Sequence, residues 1–178
     1  MAISRNLHDG YDHSSVNLLL SILIRYPQIS TLKFQQEDHT FRFTFMLKAE
    51  ESIDSKRITS GIKKSLLAHC QLLGDQPERC LVELKKFSIY GRLEVIRDLA
   101  SLSGAEISLL INLVQDAFGS RLIVENQEGL GDDVICQDEV ISAFLEDLQD
   151  CPKGHTLYGM RENGHVLVFN HQDLELGR

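Results

Sequence analysis

The residues with the most obvious chemical potential are four carboxylates in the run Gly131-Asp-Asp-Val-Ile-Cys-Gln-Asp-Glu139. Asp132, Asp133, Asp138 and Glu139 offer the hard oxygen ligands that Mg²⁺ takes, and a divalent-metal-dependent hydrolase using Asp132, Asp133 and Asp138 is one reading. Helix chemistry accounts for them more simply. Asp132 and Asp133 stand where a helix N-terminus favours an acid, both as cap and as counter-charge to the dipole. Asp138 and Glu139 follow one to two turns later, on the solvated side.

The other reactive side chains do not converge. His155 and His171 lie close across a C-terminal hairpin, but its Asn163-Gly164 turn sets a register that sends the two imidazoles to opposite faces. His69 sits beside the apolar stripe of a helix. No serine occupies a G-x-S-x-G elbow, and no glycine cluster matches a phosphate loop or dinucleotide fingerprint. The nearest, Gly129-Leu-Gly131, precedes two acids that would repel a phosphate. Cys70, Cys80, Cys136 and Cys151 have neither CxxC nor CxxH spacing, so they read as free, mostly buried thiols. No cofactor and no metal is expected.

Charge is distributed unevenly along the 178 residues, whose net formal charge is -8. Residues 1–50 carry 5 Lys/Arg against 5 Asp/Glu, residues 51–100 carry 9 against 7, and residues 101–178 carry 4 against 14. The acidic total argues against a general nucleic-acid binder. The segregation points to surfaces that attract each other or a partner. Lys56, Arg57, Lys63 and Lys64 form a basic helix face. Glu146, Asp147 and Asp150 occupy the last turns of an acidic helix, where the macrodipole disfavours anions and a basic partner would relieve the cost. These seven residues form the candidate charged interaction surface.

The elements that position them follow from periodicity. Hydrophobic residues make up 43% of the chain and charged residues 25%, which excludes disorder and low-complexity fibre. Ser14 or Ser15 caps a first helix that Pro27 ends. Leu18, Leu19, Leu20, Ile22, Leu23 and Ile24 make that helix apolar nearly all round, so it is either sandwiched inside the fold or packed against a second copy. Its apolar run is too short to span a bilayer and lacks the flanks of a signal peptide, which gives a cytoplasmic protein with no membrane partner.

Leu32 and Phe34, then Phe41, Phe43, Phe45 and Leu47 in strict alternation, make a hairpin with a core-facing aromatic row. Asp54–Leu73 is a helix with Ile58, Ile62, Leu66, Cys70 and Leu73 on one stripe and Gly74 as its C-cap. Cys80–Phe87 and Arg92–Asp98 are two strand candidates, the second ambiguous because Leu93, Ile96 and Leu99 also suit a short helix. Ser103 and Glu106 form a capping box ahead of a helix that Gly119 closes, and Arg121–Glu125 resumes as a strand. From Thr40 to Glu125 this is the βαββαβ order of a ferredoxin-like split unit. A loop at 126–131, a helix from Asp132 or Asp133 to about Leu148 and the Asn-Gly hairpin complete the chain. In that hairpin Tyr158, Met160, Glu162, His165, Leu167 and Phe169 share one face, expected to pack on the core.

The expected architecture is therefore α+β: a ferredoxin-like core at about 40–125 with an N-terminal helix and strand, and a C-terminal helix plus β-hairpin. Residues 1–125 form the core with its N-terminal helix and hairpin, and residues 126–178 an acidic appendage packing on it. The functional expectation is a non-enzymatic binding or regulatory protein, a homo-oligomer with a protein partner. RNA binding through the basic helix is the second reading, although no RNP signature accompanies the Phe41, Phe43, Phe45 row.

Overall fold

The computed structural model describes residues 13–49, 53–125, 135–150 and 156–170. The elements in chain order are α1 (His13–Arg25), β1 (Thr31–Gln35), β2 (Thr40–Lys48), α2 (Ser55–Leu73), β3 (Cys80–Lys86), β4 (Tyr90–Asp98), α3 (Gly104–Phe118), α4 (Ile135–Asp147), β5 (Thr156–Glu162) and β6 (His165–Asn170), with single 3-10 turns at Gly119–Arg121 and Leu148–Asp150. The fold is α+β, with a six-stranded antiparallel sheet in the order β3-β4-β2-β1-β5-β6.

Local signals set most boundaries. Asp54 Oδ1 accepts the Arg57 amide at 3.1 Å and starts α2. Gly74, at φ +80°, ends it with a left-handed cap that a residue with a Cβ adopts at a cost. Ser103 Oγ accepts the Glu106 amide at 3.1 Å and starts α3. The capping box is only half closed, because the Glu106 carboxylate turns inward to Arg97. Helix α1 is described from His13, so Ser14 and Ser15 lie inside the helix and not at its cap.

Side chains of directly paired residues share a sheet face, so the register separates the two faces cleanly. Cys80, Arg97, Phe41, Phe34, Leu157 and Asn170 form one row across all six strands. The helices cover that side. Helix α2 packs on β3 and α3, α3 on α4, and α1 on α4, β1, β5 and β6. Phe34, Phe41, Phe43 and Phe45 are buried there, with Phe34 and Phe41 stacked at 4.5 Å.

Helix α1 is sandwiched between α4 and the sheet, with Leu18, Leu19, Ile22 and Leu23 fully buried. Its apolar circumference is thus used within the chain. Gly159 of β5 permits this close approach, since a Cβ there would lie 2.5 Å from Leu23 Cδ1.

Two expectations are corrected. Residues 121–125 do not form a strand: a 3-10 turn ends at Arg121, and only an isolated bridge links Leu122 to Leu47. The position beside β2 is taken by β1, which pairs with it along five residues. The hairpin face is also reversed. Leu157, Gly159, Arg161, Val166, Val168 and Asn170 are buried against the helices, while Tyr158, Met160, Leu167 and Phe169 are half-buried on the opposite side and Glu162 and His165 are exposed. The pairing inside the hairpin is as expected. The hairpin joins the sheet through β1, extending it edge to edge.

Candidate functional site

No described helix packs on the second side of the sheet. One row there reads Leu81, Ile96, Arg42, Lys33, Tyr158, Phe169, and the next reads Glu83, Glu94, Thr44, Thr31, Met160, Leu167. The β5–β6 end is apolar and aromatic. Tyr158 and Phe169 stack at 5.8 Å, and Lys33 Nζ lies 5.3 Å from the Tyr158 ring centroid, within cation–π range.

The β3–β4 end is ionic. Glu94 is 7% exposed although it faces away from the helices, because three cations close over it. Arg42, Lys85 and Arg92 approach its carboxylate at 3.4, 3.5 and 3.7 Å. Lys85 also reaches Glu83 at 3.7 Å. Glu83 and Glu94 stand directly opposite each other, a like-charge pair that Lys85 bridges.

The charged helix surfaces lie elsewhere. Lys56, Arg57, Lys63 and Lys64 are exposed on α2, and Glu146 and Asp147 are exposed near the end of α4. The side chain of Asp150 lies outside the described residues. Helix α3 separates α2 from α4, and no ion pair joins the two clusters among the described residues.

Of the acidic run, Asp132 and Asp133 lie outside the described residues. Asp138 is held by Arg25 Nε at 3.1 Å and accepts from the Tyr26 hydroxyl at 3.4 Å. Glu139 is exposed. No cluster of three metal-ligating side chains occurs among the described residues, and no described helix is long and apolar enough to cross a membrane. His155 and His171 lie outside the described residues. His69 is half-buried, with Nε2 unpartnered.

Two buried arginines on the helix side differ in what surrounds them. Arg97, 1% exposed, donates to Glu106, Asp98, Ser101, the Arg79 carbonyl and the Cys70 sulfur, tying β4 to α2 and α3. Burial alone would lower its pKa. Hydrogen bonding to Glu106 and the charges of Glu106 and Asp98 reverse that, so it is raised. Cys70 and Cys80 are free and buried, and burial together with the Glu106 carboxylate pushes the Cys70 thiol up to about 11. Such a thiol is inert, so the cluster is structural.

Arg161 on β5 is 6% exposed, yet only its Nη2 is engaged, donating to the Tyr26 carbonyl at 3.4 Å. Its Nε and Nη1 have no hydrogen-bond partner among the described residues. Burial lowers its pKa, with Glu125 opposing the shift. Each unmet buried donor of this kind costs on the order of 1–3 kcal/mol. Arg161 is one of the residues lining a cavity of about 110 Å³, with Pro27, Ser30, Met46, Ile123 and Glu125.

No family model, curated protein or solved structure matches the chain.

Sequence reasoning missed the face without a described helix, and Arg161, for one reason. The alternate residues of β5 and β6 offer two faces, and the one with Tyr158, Met160, Leu167 and Phe169 looks the more apolar. The signal for the correct choice was Val168 opposite Gly159, a strand glycine of the sort that marks close backbone approach.

Proposed function

We propose that the protein is a non-enzymatic binding protein that self-associates through the uncovered face of its sheet and presents its charged helices to a protein partner. The observation that carries this reading is the six-stranded sheet with described helices on one side only. Strand spacing of about 4.8 Å and rise of about 3.4 Å per residue give that face an area of about 600 Å², near the roughly 800 Å² per partner of a standard interface.

A second copy is the occupant the charges favour. The face carries Glu83, Glu94 and Glu162 together with Lys33, Arg42, Lys85 and Arg92, so under a two-fold axis the same patch supplies both signs. The apolar Tyr158, Met160, Leu167 and Phe169 then form the dry part of a sheet-on-sheet contact about 10 Å thick. The basic face of α2 and the acidic end of α4 stay free for a partner of mixed charge.

Light scattering after gel filtration tests this. The wild type is expected at twice the 20.2 kDa chain mass, and the Tyr158→Glu, Phe169→Glu double variant at the single-chain mass with an unchanged far-UV circular dichroism spectrum. A wild type that stays at one chain mass at every concentration of a dilution series refutes self-association.

One observation favours a second reading, single-stranded nucleic acid. Stacked aromatics beside Lys33 and Arg42 on an open sheet face resemble the platforms on which bases stack. Mobility shifts with an oligonucleotide separate its two forms: Tyr158→Ala weakens binding at the sheet, and Lys63→Glu with Lys64→Glu weakens binding at the basic helix.

A further inference from the structure

Strand β3 is an end strand of the sheet, and no described strand lies beyond it. Its pairing with β4 fixes which backbone groups that leaves open. The Phe87 amide donates to the Tyr90 carbonyl at 2.8 Å, and the Asp98 amide to the Arg79 carbonyl at 3.2 Å. Bonded pairs alternate with unbonded ones in an antiparallel ladder. On the continuous register between those two points, Leu81, Glu83 and Lys85 therefore bond to β4, while the N–H and C=O groups of Cys80, Val82 and Leu84 point out of the sheet edge. Such a row is a template for another strand, and proteins commonly blunt it with charged side chains. The charges of β3 are turned elsewhere. Lys85 lies over the side without a described helix, 3.7 Å from Glu83 and 3.5 Å from Glu94, and Lys86 Nζ donates to the Ile53 carbonyl at 2.6 Å.

Helix α2 runs beside this edge. An open groove of about 310 Å³ lies between its first turns and β3, lined by Lys56 and Thr59 from the helix and by Val82 and Leu84 from the strand. Val82 and Leu84 are half-buried, so the floor of the groove is apolar. Lys63, seven residues after Lys56, lies on the same helix face about 10 Å along the axis, and its charge reaches the Cys80 thiol at the other end of β3. Both lysines are exposed, and neither forms an ion pair among the described residues. The groove thus combines open strand hydrogen bonds, an apolar floor and two uncompensated cations spaced along one wall.

We propose that β3 and α2 together receive an extended acidic segment of a protein partner, which adds to the sheet edge as a further strand and lays glutamates over Val82 and Leu84 toward Lys56 and Lys63. This rests on the protein partner proposed above and names the segment by which that partner is held. Residues opposite Val82 and Leu84 share their side of the sheet and so face α2. A glutamate there covers the apolar floor with its methylenes and brings its carboxylate to a lysine. The alternate residues face the other way beside Leu81, which is 43% exposed and favours an apolar neighbour. Main-chain hydrogen bonds supply the affinity and the alternating side chains the specificity.

Fluorescence anisotropy with dye-labelled hexapeptides tests the proposal on the full chain. Glu-Val-Glu-Val-Glu-Val is expected to bind, and Lys-Val-Lys-Val-Lys-Val is not. Val82→Pro removes one outward N–H and leaves the bonds to β4, as a proline on an edge strand can. It is expected to fold and to bind the glutamate peptide at least tenfold more weakly. If Val82→Pro does not fold, the same peptide N-methylated at every amide keeps its charge, loses its donors and is expected to show the same loss on the wild type. Lys56→Gln with Lys63→Gln is expected to weaken binding about as much, and Arg57→Gln with Lys64→Gln, on another part of α2, by less than twofold. The proposal fails if the wild type does not bind the glutamate peptide, or if binding survives Val82→Pro or full methylation. It fails too if Arg57 and Lys64 are the pair that matters, in which case a partner on the basic helix stands and only the strand addition is lost. A Val82→Pro chain with half the wild-type mass in light scattering also overturns it, because a second copy would then occupy the edge.

Discussion

On the helix side of the sheet, Phe34, Phe41, Phe43 and Phe45 are within 1% of full burial, and the ion pairs of Arg97 with Glu106 and Asp98 are closed over by three elements. On the other side, alternate residues of the same strands leave Tyr158 beside Phe169 and a carboxylate, Glu94, ringed by cations at the surface. One backbone therefore separates the side chains packed against the helices from those on the side where no described helix packs. Arg161 is the exception on the helix side: it is buried like Arg97 but lacks the acceptors that make Arg97 part of the core.

The largest expected effect comes from the covered side. Glu106→Ala strands the Arg97 guanidinium without its main carboxylate and should destabilise by about 3–5 kcal/mol. Phe43→Ala should cost a similar amount, about 3–5 kcal/mol, through the cavity it leaves. Urea unfolding followed by circular dichroism reads both. A loss below about 1 kcal/mol in either would erase the distinction between the faces.

A smaller effect should appear in acid. Burial would raise the Asp98 pKa, but hydrogen bonds from the Ser101 hydroxyl and the Arg79 amide, with the charge of Arg97, outweigh it and hold the carboxyl below its usual range. A folded pKa below the unfolded one gives stability that is present above the unfolded value of about 3.9 and lost as pH falls through the folded one. The stability gap between wild type and Asp98→Asn should accordingly be constant from pH 5 to 7, as about that range lies above both values, and should narrow below about pH 4. A gap independent of pH would remove Asp98 from the network.

The smallest effect belongs to the uncovered side. Tyr158→Ser removes one cross-strand aromatic pair and should change the folding stability of a dilute chain by only about 0.5 kcal/mol. A loss of several kcal/mol would mean that the face is packed within the chain.

Elements were more legible in the sequence than faces. Phe41, Phe43 and Phe45 announced a core row because their period is strict, and Gly74 and Ser103 marked helix ends because caps act on the nearest amides and carbonyls. The hairpin was found from Asn163-Gly164, yet its orientation was not. Period-2 alternation gives two sets of side chains, and choosing between them needs the tertiary contact of Gly159 with α1. Residues 121–125 have strand-like composition, but the position beside β2 goes to β1, which competes through the short turn at 36–39. The unmet donors of Arg161 had no sequence signal, since an arginine in a hairpin ordinarily reads as solvated.

The most direct test of the central claim, that the uncovered face is where another copy sits, is hydroxyl-radical labelling with mass-spectrometric readout across protein concentration. Labelling of Tyr158, Met160 and Phe169 should fall as concentration rises, while Leu72 and Ile89, 87% and 80% exposed on other surfaces, should stay constant. Labelling of Tyr158, Met160 and Phe169 that does not change with concentration would contradict it.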